Sequence, residues 1–82
     1  MNFVETKLKG AFVIDIERRE DQRGFFARVW CQKEFEAHGL INCFAQANIG
    51  FSYKKGTVRG MHFQMNPYQE VKLVRCTMGR IL

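Results

Sequence analysis

Proline occurs once in this chain, at Pro67, and there is no internal repeat and no Gly/Ser-rich run. A linker or low-complexity tract is thereby excluded. No Cys-x-x-Cys pair is present: Cys31, Cys43 and Cys76 stand 12 and 33 residues apart, which indicates neither a zinc knuckle nor a redox motif. Thiols so placed are expected to be reduced and partly buried. No apolar run approaches the roughly 20 residues needed to span a bilayer. Residues 1–9 carry charge without a following apolar segment, unlike a secretory signal. A soluble, cytoplasmic protein without membrane contact is expected. Concentrated charge is also lacking. Thirteen Lys and Arg against eight Asp and Glu leave a net charge of +5, yet the only adjacent basic pairs are Arg18-Arg19 and Lys54-Lys55. Most of these charges read as solvated surface, although a basic excess also suits nucleic acid or a small anion such as a diphosphate.

What is present points to a folded chain. Its 82 residues are 46% hydrophobic and include eight phenylalanines, a composition foreign to disordered segments. The length allows one domain, close to the lower limit for a self-sufficient core, and residues 1–82 are expected to form it.

Apolar and β-branched runs predict strands over residues 2–7 and 11–16, separated by Gly10. The charged run 18–24 ends in Gly24 and reads as a turn or loop. A third strand is expected over 25–30, with Phe26, Arg28 and Trp30 on one face; a cation between two rings could line a ligand slot. Residues 32–38 form the one helical candidate, with Lys33, Glu34 and Glu36 outward and Phe35 as its buried anchor. His38 in the last turn and Gly39 beyond it fit a helix C-terminus, so His38 reads as a partner of the helix dipole rather than a catalyst. Strand character returns over 41–49, where Gln46 and Asn48 share a face. A basic loop covers 50–56, a central strand 57–64, a turn 65–68 and a last strand 70–77. Many short strands with one small helix predict an all-β sandwich or barrel.

The chemistry-bearing stretch is Arg59-Gly60-Met61-His62, followed by Lys72. Strict alternation separates Arg59 from His62, but a bulge at Gly60 would bring both to one side. A surface guanidinium and a packed imidazole are the plainer account of such a pair taken alone. A hairpin across 65–70 would add Lys72 near His62. An imidazole base, a lysine that donates to an oxyanion and forked guanidiniums on a diphosphate at Arg59 and Arg23 suit proton abstraction beside a carbonyl.

The blocks Asp21-Gln22-Arg23-Gly24-Phe25-Phe26, Phe44-Ala45-Gln46-Ala47-Asn48, Arg59-Gly60-Met61-His62-Phe63-Gln64 and Lys72-Leu73-Val74-Arg75-Cys76 together resemble the dTDP-4-dehydrorhamnose 3,5-epimerase family, in its order and spacing. The resemblance implies a cupin-like jelly-roll β-sandwich, here partial and corresponding to the N-terminal half of a sugar-nucleotide epimerase. It implies a homodimer, a dTDP-like nucleotide-sugar substrate, no metal and no redox cofactor. By position, His62 resembles the family's base and Lys72 the lysine near the ketone oxygen. Arg23, Gln46, Asn48 and Arg59 match positions that hold the nucleotide diphosphate and sugar. Where family members contact the nucleotide with a glutamate this chain has Arg28, which leaves base and sugar open. Family members run to roughly twice this length, with their tyrosine acid and the carboxylate that orients the histidine in the second half. Tyr53 and Tyr68 do not match that tyrosine, so the 82 residues alone are expected to lack full epimerase activity. Two other functions compete: a non-catalytic sugar-nucleotide binding module, and, third, a small nucleic-acid-binding β-domain, suggested by the net charge of +5 and the aromatics, with Phe26-Arg28-Trp30 as its one short basic–aromatic stripe.

Overall fold

A computed structural model describes residues 1–82. Its regular elements are β1 (Asn2–Glu5), β2 (Phe12–Asp15), β3 (Arg19–Asp21), β4 (Gly24–Phe26) and one helix, α1 (Gln32–Ala37). The strands form two separate antiparallel hairpins, β1–β2 and β3–β4. The result is a partial β fold with one short helix, as expected.

In the first hairpin Phe3 lies opposite Ile14 and Glu5 opposite Phe12. Alternation therefore puts Phe3, Phe12 and Ile14 on one half-buried face, with Val4 and Val13 exposed on the other. The connection is closed by Thr6 N–H to the Ala11 carbonyl and Ala11 N–H to that of Leu8, both 3.0 Å. The second hairpin corrects the expectation of an unbroken loop over 18–24. Asp21 Oδ1 accepts the Arg23 N–H at 2.8 Å, an Asx turn that reverses the chain within two residues and lets the charged run pair as β3. Arg18 caps this hairpin with its guanidinium carbon 4.7 Å from the Phe25 ring centre.

The chain divides into two units, Met1–Ala47 and Asn48–Leu82. The core of the first is the anchor expected on the helix, Phe35, 3% exposed. Phe3, Trp30 and Phe44 surround it with ring centres 5.6, 6.2 and 6.4 Å away, in the tilted and edge-on geometries that aromatic quadrupoles favour. Helix α1 ends where the sequence predicts. Leu40 N–H bonds the Phe35 carbonyl and Gly39 N–H that of Glu36, a Schellman closure with Gly39 at φ +67°. His38 Nδ1 lies 2.8 Å from the Glu34 carbonyl, so Nδ1 carries the proton and donates to the helix end. Its ring also stacks on Phe3 at 3.9 Å. Glu34, expected outward, is instead half-buried and engaged.

The second unit contains no strand or helix, and each of its residues is exposed. The turns expected around 50–56 and 65–68 are present: Thr57 Oγ1 donates to the Lys54 carbonyl at 2.7 Å and Tyr68 N–H to that of Met65 at 2.8 Å. The strands expected over 41–49, 57–64 and 70–77 are not formed, and the third strand stops at Phe26 rather than Trp30. A strand exists only where a neighbour accepts its N–H and C=O groups, and these runs have no ladder partner. The bulge expected at Gly60 accordingly has no ladder to interrupt. Of the thiols, Cys31 is half-buried but Cys43 and Cys76 are exposed, against expectation, and all three are free. No helix is long and apolar enough to cross a membrane.

Candidate functional site

In the first unit the β3–β4 turn carries Arg23. Its Nη2 donates to Asp21 Oδ2 at 2.6 Å, while the side chain remains 90% exposed. The bond to Arg23 holds the Asp21 carboxyl below its ordinary range, and the same partner raises the guanidinium. Arg23 is thus a forked cation aimed by a neighbour, with donors left for an anion.

Arg28 follows the end of β4. Its Nη1 donates to Glu34 Oε2 at 3.1 Å, and this bond above all lowers the Glu34 carboxyl. Arg28, Phe26, Arg19, Glu17 and Glu34 line a cavity of about 340 Å³ beside the Met1 ammonium. The expected slot with Arg28 between Phe26 and Trp30 is corrected. Phe26 shares the cavity with Arg28, whereas Trp30 turns inward onto Phe35 and Phe44. The chain leaves the sheet after Phe26, so alternation no longer governs which way residue 30 points.

Gln46 belongs to the first unit and Asn48 to the second. The shared strand face expected for them does not exist, because residues 41–49 are not a strand.

In the second unit Arg59 is folded over the loop before it. Its Nη1 donates to the Phe51 carbonyl at 3.0 Å and approaches Ser52 Oγ at 3.4 Å. The guanidinium lies beside Gly50, where a Cβ would stand 3.4 Å from Nη2, an ordinary contact distance. Phe51, Tyr53, Lys54, Thr57 and Arg59 border an open cavity of about 480 Å³. His62 folds back over Gly60, where an added Cβ would meet its Cδ2 at 3.3 Å. Lys72 Nζ donates to the His62 carbonyl at 2.9 Å and pairs with Glu70 Oε1 at 3.2 Å. The hairpin expected across 65–70 is not formed, and the contact of Lys72 with His62 is to the His62 main chain. Glu70 carries no role in the sequence reading; its separation of two residues from Lys72, a carboxylate beside an ammonium, was the available signal.

No group of three or more His, Cys, Asp or Glu side chains is placed to hold a metal ion. The second unit carries an imidazole, an ammonium and a guanidinium, at His62, Lys72 and Arg59.

A sequence profile of dTDP-4-dehydrorhamnose 3,5-epimerases matches residues 5–82. The chain is 39% identical over 82 residues to a dTDP-4-dehydrorhamnose 3,5-epimerase of Shigella flexneri, covering 99% of this chain and 45% of that one. A protein of the same name from Sinorhizobium fredii is 43% identical over 61 residues, covering 74% and 31%. Another from Methanothermobacter thermautotrophicus is 39% identical over 79 residues, covering 96% and 42%. The chain thus spans less than half the length of these relatives. No solved structure matches it.

Proposed function

The chain belongs to the dTDP-4-dehydrorhamnose 3,5-epimerase family, and on that premise we propose that it supplies the base, the oxyanion donor and the diphosphate anchors of a sugar-nucleotide epimerase. The substrate is a dTDP-like nucleotide carrying a 4-keto sugar. His62 takes the proton from a carbon beside the C4 ketone, and the bonding pair moves into an enolate whose charge collects on the ketone oxygen. Lys72 donates a hydrogen bond to that oxygen. Return of a proton from the opposite face inverts the centre. The sugar gains and loses only a proton, so the chemistry calls for no redox cofactor and no metal.

The single observation that supports this reading is the 2.9 Å contact from Lys72 Nζ to the His62 carbonyl, which ties the base and the donor into one neighbourhood. Arg23, Gln46, Asn48 and Arg59 match family positions that hold the nucleotide diphosphate and sugar, and a guanidinium suits a phosphate through forked hydrogen bonds. Arg28 shapes preference on the nucleotide side. Tyr53 and Tyr68 have no part in the proton relay. Residues 1–82 make up the N-terminal half of a single cupin-like jelly-roll domain that works as a cytoplasmic homodimer.

The test is solvent deuterium exchange at C3 and C5 of a dTDP-4-keto-6-deoxyhexose, followed by NMR with the intact protein. Exchange is expected, and His62→Ala should slow it by about 10²–10⁴-fold, the usual contribution of a general base, with ligand affinity retained. Tight binding without exchange at either carbon in the unmodified protein would overturn the catalytic reading in favour of a sugar-nucleotide binding module. Exchange at one carbon alone would identify which centre is inverted.

A further inference from the structure

Lys72 carries an ammonium with three donors on a flexible four-carbon stem. One donor goes to the His62 carbonyl at 2.9 Å. A single such bond leaves the stem free to swivel about its contact. Glu70 supplies the second anchor, with Oε1 3.2 Å from the same nitrogen. Two partners on one nitrogen restrict where it sits, and the ammonium has further N–H to offer an acceptor.

We propose that Glu70 is a positioning residue for the epimerisation. It holds the Lys72 ammonium against the main chain of His62, so that the remaining N–H meets the ketone oxygen of the bound sugar. This rests on the assignment of His62 and Lys72 as base and oxyanion donor. Its physical basis is that a donor stabilises a developing oxyanion in proportion to how well it is placed beforehand. A lysine that must be ordered during the reaction loses part of that advantage. The arrangement is local, since Glu70 and Lys72 stand two residues apart and their charged ends meet at 3.2 Å.

The experiment compares Glu70→Ala, Glu70→Gln, Lys72→Ala and His62→Ala in the intact protein. Deuterium incorporation beside the ketone of a dTDP-4-keto-6-deoxyhexose is the rate readout, and acetylation of Lys72 by acetic anhydride, read by mass spectrometry, is the readout independent of turnover. Glu70→Ala is expected to lower kcat for exchange about tenfold at a KM within about twofold, short of the 10²–10³ that follows loss of an oxyanion donor itself. Its Lys72 should be acetylated faster than in the unmodified protein. Glu70→Gln, which keeps an oxygen acceptor, should recover most of the rate. Unchanged kcat and unchanged acetylation in Glu70→Ala, while Lys72→Ala and His62→Ala abolish exchange, would remove Glu70 and leave the base and donor standing. A rise in KM at constant kcat would also overturn the positioning role, by assigning Glu70 to substrate binding. Full exchange in Lys72→Ala and His62→Ala would instead overturn the underlying assignment.

Discussion

At the scale of single residues, each charged side chain of the candidate site has a partner that its residue type did not specify. Arg23 is held by Asp21, Arg28 by Glu34, Arg59 by the Phe51 carbonyl and Lys72 by His62 and Glu70. These are exposed contacts whose value lies in aiming a donor rather than in stability, since surface pairs contribute little to folding. They still leave a signature in acid. Glu34 is lowered chiefly by Arg28 and Asp21 chiefly by Arg23. A carboxyl with a folded pKa below its unfolded value stabilises the fold above the ordinary carboxylate range and loses that contribution as pH falls through the folded pKa. Thermal midpoints measured from pH 7 to about pH 3 should therefore fall, and Glu34→Gln should lower the midpoint at neutral pH and flatten its acid limb. A Glu34→Gln profile parallel to the unmodified one would show that the Arg28 contact does not survive in solution.

Elements whose hydrogen bonds close within a few residues formed where the sequence predicts them. Strands β1 and β2 form inside the expected runs 2–7 and 11–16, and α1 stops at its glycine. Gly39 shows why such an end is legible: its φ of +67° suits a residue without a Cβ. Nothing lies within 4 Å of where a Cβ would stand, so the cost of Gly39→Ala is purely conformational, about 1 kcal/mol. A urea titration should show the corresponding drop in midpoint at unchanged slope. An unshifted midpoint would mean that the Schellman closure does not limit the first unit. The expected strand over 25–30 was half legible. Phe25 and Phe26 pair, but Trp30 lies beyond the sheet with its ring 6.2 Å from that of Phe35, in a contact that aromatic quadrupoles favour.

Over the whole molecule, Phe35 is the one buried hydrophobic side chain, and residues 48–82 are exposed throughout. Large apolar side chains such as Ile49, Val58, Met61 and Phe63 stand open to solvent at 82–90%. Amide hydrogen exchange on the 82-residue chain should accordingly show its slowest amides at Val4, Val13, Gly39 and Leu40, with residues 57–64 and 70–77 exchanging near the unprotected rate. Protection over 57–64 or 70–77 would show that those runs have found strand partners in solution.

The sequence by itself determined the family, through four ordered blocks that its profile also matches over residues 5–82. It also determined the β-rich class, strands within 2–7 and 11–16, and the helix with its Phe35 anchor. All of these depend on alternation, on caps, or on turns a few residues long. Only the tertiary structure decided that 41–49, 57–64 and 70–77 stay unpaired, that Trp30 packs on Phe35 and Phe44, and that Glu34 pairs with Arg28. The reason is physical: strand propensity belongs to a residue, but a strand requires a second backbone within hydrogen-bonding distance. A charge likewise acquires its partner only when folding brings another charge within a few ångströms.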